Sequence, residues 1–170
     1  FFTLHKTKMR KEDIIDQLEL VPHPEGGYYK ETYRSKGSLE LSDYEGERQY
    51  STGIYYLLVG NKISAFHRII QDEMWHFYQG NSLELHIISK TGTYQVVLIG
   101  NDLGKGEIPQ YVVKGGDYFA ARVTSGGSHS LVGCTVAPGF DFKDFEMPSR
   151  HDLISKFPDH EYIIKQLTHS

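Results

Sequence analysis

The sequence lacks several features that would place it in large classes of protein. Its 170 residues include a single cysteine, Cys134, so no disulfide can form within the chain, which predicts a reducing, cytoplasmic location. No apolar run approaches the ~18 residues that a membrane-spanning helix needs, so no membrane partner is expected. The 18 Lys and Arg residues are outnumbered by 22 Asp and Glu and form no patch, which disfavours nucleic-acid binding.

Proline is also scarce, with six residues, whereas Tyr, Phe and Gly number 12, 9 and 17. This balance is typical of many short strands joined by tight turns. Strands, most of them separated by glycine-containing turns, are predicted at residues 28–34, 50–59, 63–69, 74–79, 82–89, 93–99, 110–113, 117–123 and 130–136. Such a succession predicts an all-β sandwich or barrel.

Helical patterns lie near the two ends of the chain. An apolar stripe that includes Ile14 and Leu18 predicts one short helix within residues 11–20. Two further short helices are predicted within residues 149–170, where Pro158 separates two apolar stripes.

The remaining segments complete the predicted organisation. Residues 1–10 are interpreted as an added or disordered start, and residues 11–170 as a single domain. Residues 35–48 are polar and contain isolated glycines, so they are predicted to form a loop that could flank a pocket.

A segment between two glycines in the middle of the chain holds the best candidate for a site. Alternation along residues 63–69 places His67 on one face with aliphatic residues. In the following segment, Glu73 shares its face with Trp75 and Phe77. If the two segments form a β-hairpin, His67 and Glu73 lie on neighbouring strands. A histidine and a carboxylate in an aromatic-lined interior indicate a site for a small-molecule ligand.

His67 and Glu73 allow three interpretations. If they are in contact, the carboxylate orients the imidazole and raises its basicity, which makes His67 a candidate catalytic base. They could instead be ligands of a divalent metal, but such a metal usually needs three or four ligands. His67 could also be a hydrogen-bonded core residue. No cofactor is predicted and no metal is expected; if a metal does bind, His67 and Glu73 are its candidate ligands.

Polar and aromatic residues near this segment and on the first long strand are candidates for substrate binding. They are Tyr29, Glu31, Tyr33, Arg34, Trp75 and Phe77. Tyr29 and Tyr33 are also candidates for a catalytic acid, with ordinary sheet packing as the alternative. Glu31 and Arg34 fall on opposite faces of a regular strand, so at most one is expected in the pocket, and an ion pair at the sheet edge is the alternative.

Three motifs in this order resemble an uncharacterised cupin subfamily. They are HPEGGYYKETYRS at residues 23–35, FHR followed by DEMW within residues 66–75, and LVGCTVAPGFDFKDFE at residues 131–146. The general first cupin motif is also matched, with one extra residue, by Gly60, His67, Glu73 and Gly80. The resemblance implies a cupin double-stranded β-helix, or jelly-roll, sandwich with a pocket inside the barrel, and a homodimer.

The chain departs from the general cupin pattern at the metal ligands. Ile69 stands at the place of the second histidine, and the segment after Gly116 lacks the proline and histidine of the second motif, with His129 out of register. Cupin sugar epimerases use a histidine base and a tyrosine acid, so the resemblance implies a metal-independent isomerase or epimerase. The alternatives are a non-catalytic metabolite-binding cupin and a metal-dependent cupin enzyme.

Overall fold

The computed structural model describes residues 9–170, so most of the predicted start, residues 1–8, lies outside the described residues. The described elements, in chain order, are α1 (Lys11–Leu18), β1 (Val21–Pro22), β2 (Tyr28–Arg34), β3 (Ser38–Glu40), β4 (Glu47–Gln49), β5 (Thr52–Val59), β6 (Ile63–His67), β7 (Asp72–Gly80), β8 (Leu83–Ile88), β9 (Tyr94–Ile99), β10 (Gln110–Val113), β11 (Tyr118–Val123), β12 (His129–Ala137), α2 (Arg150–Lys156) and α3 (Glu161–Gln166). Short 3₁₀ turns span Leu103–Lys105, Phe142–Asp144 and Pro158–His160.

The strands form two larger sheets and one small hairpin. The larger sheet has the order β1-β2-β5-β12-β7-β10, and the smaller sheet has the order β6-β11-β8-β9. The named strands pair antiparallel throughout. Strands β3 and β4 pair with each other, so residues 35–48 contain a hairpin where a loop was predicted. The predicted all-β sandwich with short terminal helices is confirmed.

Apolar side chains on the inner faces of the sheets form the main core. Trp75 and Phe119 belong to this core, and each such buried side chain stabilises the fold by about 2 kcal/mol. The outer face of the smaller sheet is covered by α2 and α3, where Ile164 packs with Phe66. Ile14 of α1 belongs to a third cluster, on the outer face of the larger sheet. No helix in residues 9–170 is long and apolar enough to cross a membrane.

The condition that β6 and β7 form a β-hairpin, which would place His67 and Glu73 on neighbouring strands, is not met. Strand β6, which ends at His67, pairs with β11 in the smaller sheet, whereas β7, which carries Glu73, pairs with β12 and β10 in the larger sheet. The residues between them cross from one sheet to the other and are held by buried Gln71, whose Nε2 donates to the Gly139 carbonyl (3.2 Å). Alternation identifies the faces of a strand but not its partner, because the period of two is the same for every pairing.

Candidate functional site

The interior of the sandwich contains a cavity of about 470 Å³, which lies within the size range of small-molecule sites. Strands of both sheets line it, together with the loop at residues 23–27 and the segment at residues 138–146. Buried Glu25 and His67 line one part of the cavity, whereas the half-exposed pair Glu31 and Arg34 lines another. We call the part with Glu25 and His67 the inner end of the cavity, and the part with Glu31 and Arg34 its outer end.

A glycine allows the loop before β2 to reach the inner end. Gly26 has φ 113°, and a Cβ at this position would lie 2.0 Å from the Ile63 carbonyl oxygen. Only glycine permits both this conformation and this close approach to β6. The backbone N–H of Ala65 then donates to the Glu25 carbonyl (2.8 Å). Glu25 is thereby fixed beside His67.

His67 is held as a cation by two acceptors. Its Nδ1 lies 2.7 Å from the Ala65 carbonyl oxygen, which can only accept, so Nδ1 carries a proton. Its Nε2 lies 2.9 Å from a carboxylate oxygen of Glu25. Burial by itself lowers the pKa of His67, but the charge and hydrogen bond of Glu25 reverse this and raise it above the usual range. Burial likewise opposes ionisation of Glu25, yet His67 keeps the pKa of that carboxyl below its usual range.

Glu73 is a carboxyl in the same cavity that makes no ion pair with any residue from 9 to 170. Burial, reinforced by the charge of Glu25, raises the pKa of Glu73 to about 7. The His67 charge and a hydrogen bond from the Cys134 thiol offset only part of this effect. Burial and Glu73 also raise the pKa of Cys134 well above its usual range, so its thiol stays protonated. Glu73 is therefore poised to gain or lose a proton near neutral pH.

His23 is a neutral histidine that also lines the cavity. Its Nδ1 accepts the backbone N–H of Glu25 (3.3 Å), which places the proton of the neutral ring on Nε2. Burial lowers the pKa of His23, and the His67 charge lowers it further, against an opposing effect of Glu25. The His23 ring lies edge-on to Tyr29, with centroids 4.5 Å apart. His23 is thus a neutral hydrogen-bond donor in the same space as Glu73.

Arg34 and Glu31 form a bidentate ion pair at the outer end. The two N–O distances are 2.8 and 2.7 Å, and Arg34 also donates to Gln49 Oε1 (2.7 Å) and the Phe140 carbonyl (3.1 Å). The prediction that at most one of the two residues enters the pocket is wrong, because β2 has a register shift between Glu31 and Tyr33. Such an irregularity breaks the strict alternation of a strand.

The segment after β12 brings phenylalanine rings to both ends of the cavity, because the Phe140 carbonyl accepts from Arg34 at the outer end, whereas the Phe145 ring stacks on His67 at the inner end with centroids 5.3 Å apart. Phe140, Phe142 and Phe145 all line it. The segment is anchored by Asp144, whose carboxylate accepts hydrogen bonds of 2.8 and 2.7 Å from Arg48 in an ion pair that is almost fully buried. The aromatic wall therefore has a fixed position relative to the sheets.

Comparison with known proteins gives the family of the chain. A sequence model of the family described as "Cupin superfamily (DUF985)" matches residues 12–148. The chain belongs to this cupin family. The resemblance noted in the sequence is confirmed at this level, and the cavity described above lies in a fold that is compatible with binding small ligands.

Other similar proteins agree with this assignment. An "Uncharacterized protein", YML079W of Saccharomyces cerevisiae, is 32% identical, with 78% of this chain and 72% of the yeast protein covered. A hypothetical protein from Leishmania major has a TM-score of 0.90 at 37% identity and covers 95% of this chain and 100% of its own. Protein SO0799 from Shewanella oneidensis has a TM-score of 0.87 at 40% identity, with 95% and 98% covered.

A more distant likeness extends to Bacillus subtilis oxalate decarboxylase, with a TM-score of 0.55 at 14% identity, 86% of this chain covered and 36% of that chain. At this identity the likeness shows the fold alone. Together with the family match, it confirms the cupin jelly-roll sandwich.

The residues of this cupin do not fit the usual cupin metal set. Both ring nitrogens of His67 are already engaged, by Ala65 and Glu25, so neither has a free lone pair for a metal. Ile69, at the place of the second histidine, lines the cavity as an apolar side chain. Within residues 9–170, no group of three or more His, Cys, Asp or Glu side chains could hold a metal ion. No catalytic step is therefore assigned to a metal.

The structure brings together five of the eight site residues proposed from the sequence. The residues that line the cavity are Tyr29, Glu31, Arg34, His67 and Glu73. Trp75 is instead fully buried in the core, Phe77 packs against that core, and Tyr33 is 57% exposed. The face shared by Glu73, Trp75 and Phe77 was predicted correctly, but the cavity extends along only part of it.

Sequence reasoning missed two residues of the inner end, His23 and Glu25. Both lie in the HPEGG stretch, which served only as a mark of the subfamily. The signal that could have found them is the Gly26-Gly27 pair, since both glycines adopt positive φ and let the preceding polar residues turn inward.

Proposed function

We propose that this cupin binds a small molecule in the cavity and transfers a proton on it, as a metal-independent enzyme of isomerase or epimerase type. Glu73 is the group that exchanges the proton. The observation that supports this role is a cavity carboxyl outside any ion pair with residues 9–170 whose pKa is raised to about 7. A catalytic acid or base works best when its pKa lies near the operating pH.

In this proposal Glu73, and not His67 as the sequence suggests, is the catalytic base. His67 cannot act as a base while its nitrogens are bound to Ala65 and Glu25, so it contributes a fixed positive charge. Glu73 removes a proton from a carbon next to a carbonyl group, and the C–H electron pair moves into an enolate. His23 donates its Nε2 proton as a hydrogen bond to the enolate oxygen. The enolate then turns in the cavity, and Glu73 returns the proton to the opposite face of the same carbon, which inverts that centre as an epimerase does.

Deuterium exchange tests this proposal even when the product is unidentified, because the signal is the substrate's own α-proton. A panel of small hydroxy- and amino-carbonyl compounds is incubated with the protein in D₂O, and loss of the α-proton signal is followed by NMR. We expect Glu73→Gln to slow the exchange by ~100-fold or more. Glu40→Gln is a matched control, because Glu40 is exposed on the β3–β4 hairpin. Equal exchange rates in the wild type and Glu73→Gln would contradict the proposal.

A second candidate function is binding without catalysis. The His67–Glu25 ion pair favours it, because this pair occupies the histidine that would otherwise be the catalytic base. This function predicts that a ligand raises the unfolding temperature while remaining chemically unchanged. We also propose a cytoplasmic homodimer, and light scattering after size-exclusion chromatography tests the oligomeric state.

A further inference from the structure

Among residues 9–170, no free cation lines the cavity to bind an anionic ligand. Arg34 is the sole arginine or lysine of this described part of the chain that lines it. Its guanidinium already makes four hydrogen bonds, two to Glu31, one to Gln49 and one to the Phe140 carbonyl. The cationic His67 is likewise fully engaged by Glu25 and Ala65. A carboxylate or phosphate in the cavity would therefore displace an existing partner of a cation.

The cavity has an excess of acidic groups. Two of its carboxylates, Glu25 and Glu31, are neutralised in the ion pairs described above. The other two, Glu73 and Asp141, make no ion pair within residues 9–170, where Asp141 accepts a hydrogen bond from the backbone N–H of Lys143. A positively charged ligand would meet an unneutralised carboxylate at Glu73 without breaking any pair.

Aromatic rings provide the complementary surface. Phe140 and Phe142 have ring centroids 4.9 Å apart in an edge-to-face arrangement, and Phe142 and Phe145 have centroids 5.9 Å apart. The faces of such rings attract cations and pack against apolar groups. One face of Phe145 is already stacked on His67, with centroids 5.3 Å apart, so Phe145 offers only its remaining surface to a ligand. The Asp144–Arg48 ion pair holds this wall in place, so it is formed before a ligand binds.

We propose that the ligand of this cavity is a small organic cation, an α-amino carbonyl compound that carries its protonated amine on an apolar or aromatic body. Its ammonium group pairs with one oxygen of the Glu73 carboxylate, which leaves the other oxygen to take the proton from the neighbouring carbon. Its body packs against Phe140, Phe142 and Phe145. This inference rests on the proposed function in that it uses the same cavity and the same carboxyl. It adds the chemical class of the substrate.

Three probes of similar size and different charge test the inference. Benzylamine, benzyl alcohol and benzoate are titrated into the full chain by calorimetry at about pH 8, where Glu73, under the influence of Glu25, His67 and Cys134, is ionised. We expect benzylamine to bind about tenfold more tightly than benzyl alcohol, and benzoate to bind more weakly than both. In Glu73→Gln the preference for the amine should disappear, whereas Glu40→Gln should retain it.

Several results would overturn the inference. They are absence of benzylamine binding, binding of the alcohol or benzoate as tight as that of the amine, and an amine preference that survives in Glu73→Gln. The proposed function is tested separately, by the deuterium-exchange experiment. If Glu73-dependent deuterium exchange occurs but the amine is not preferred, proton transfer stands and only the cationic substrate is rejected.

Discussion

Replacing Glu73 by Gln should stabilise this cupin at alkaline pH. The pKa of Glu73 is raised from 4.5 to about 7 by burial and by Glu25, so between these values the native state binds more protons than the unfolded state. The wild type therefore loses stability as the pH rises through this window. Gln has the same shape and no charge, so it escapes this loss. From about pH 5 to about pH 8, the free energy of unfolding of Glu73→Gln should gain about 2 kcal/mol relative to the wild type.

Urea unfolding followed by tryptophan fluorescence measures this difference. The chain has one tryptophan, Trp75, which is fully buried between the sheets and reports on loss of the core. Comparing the two proteins at each pH cancels the titration of groups that they share. Glu40→Gln provides the matched exposed substitution and should show no such trend. A stability difference between Glu73→Gln and the wild type that does not change with pH would refute the reasoning.

Three further variants test the contacts that form the site. His67→Ala leaves the Glu25 carboxylate buried without its partner, so the free energy of unfolding should fall by about 3–5 kcal/mol, and urea unfolding near neutral pH measures it. Arg48→Met leaves Asp144 buried and unpaired, with a loss of about the same size in the same assay; an unchanged midpoint would contradict the anchoring role. Gly26→Ala should lower the free energy of unfolding by ~1–3 kcal/mol and displace the loop at residues 23–27. A lower unfolding temperature in calorimetry would report the lost stability, and weaker benzylamine binding would report the displaced loop.

The sequence was sufficient to predict the strand-rich fold and the direction of the key side chains. Alternation correctly placed Glu73, Trp75 and Phe77 on one inner face, because side chains alternate along a regular stretch of strand. Alternation could not identify the strand partners of β6 and β7, because the choice of partner depends on how the two sheets pack together and not on the pattern within one strand. The bulge that brings Arg34 beside Glu31 was equally hidden, since a register shift has no fixed sequence signal.

The chemistry of the site depended on contacts between distant residues. The partner of His67 is Glu25, which lies far from it in sequence and reaches it only because Gly26 can approach Ile63. Once Glu25 takes the role of partner to His67, Glu73 is left as a half-buried cavity carboxyl with a raised pKa. The residue types were therefore correct, but their roles followed from the three-dimensional arrangement.

Titration of the Glu73 carboxyl carbon tests the central claim most directly. The protein is labelled with ¹³C at the glutamate side chains, and the Glu73 resonance is assigned by its absence in Glu73→Gln. We predict a midpoint at about pH 7 for this carbon, together with a Glu25 carboxyl that titrates below the usual range for glutamate. A Glu73 midpoint near the ordinary value of ~4.3 would contradict the account, because Glu73 would then be a permanently charged group unable to exchange a proton near neutral pH.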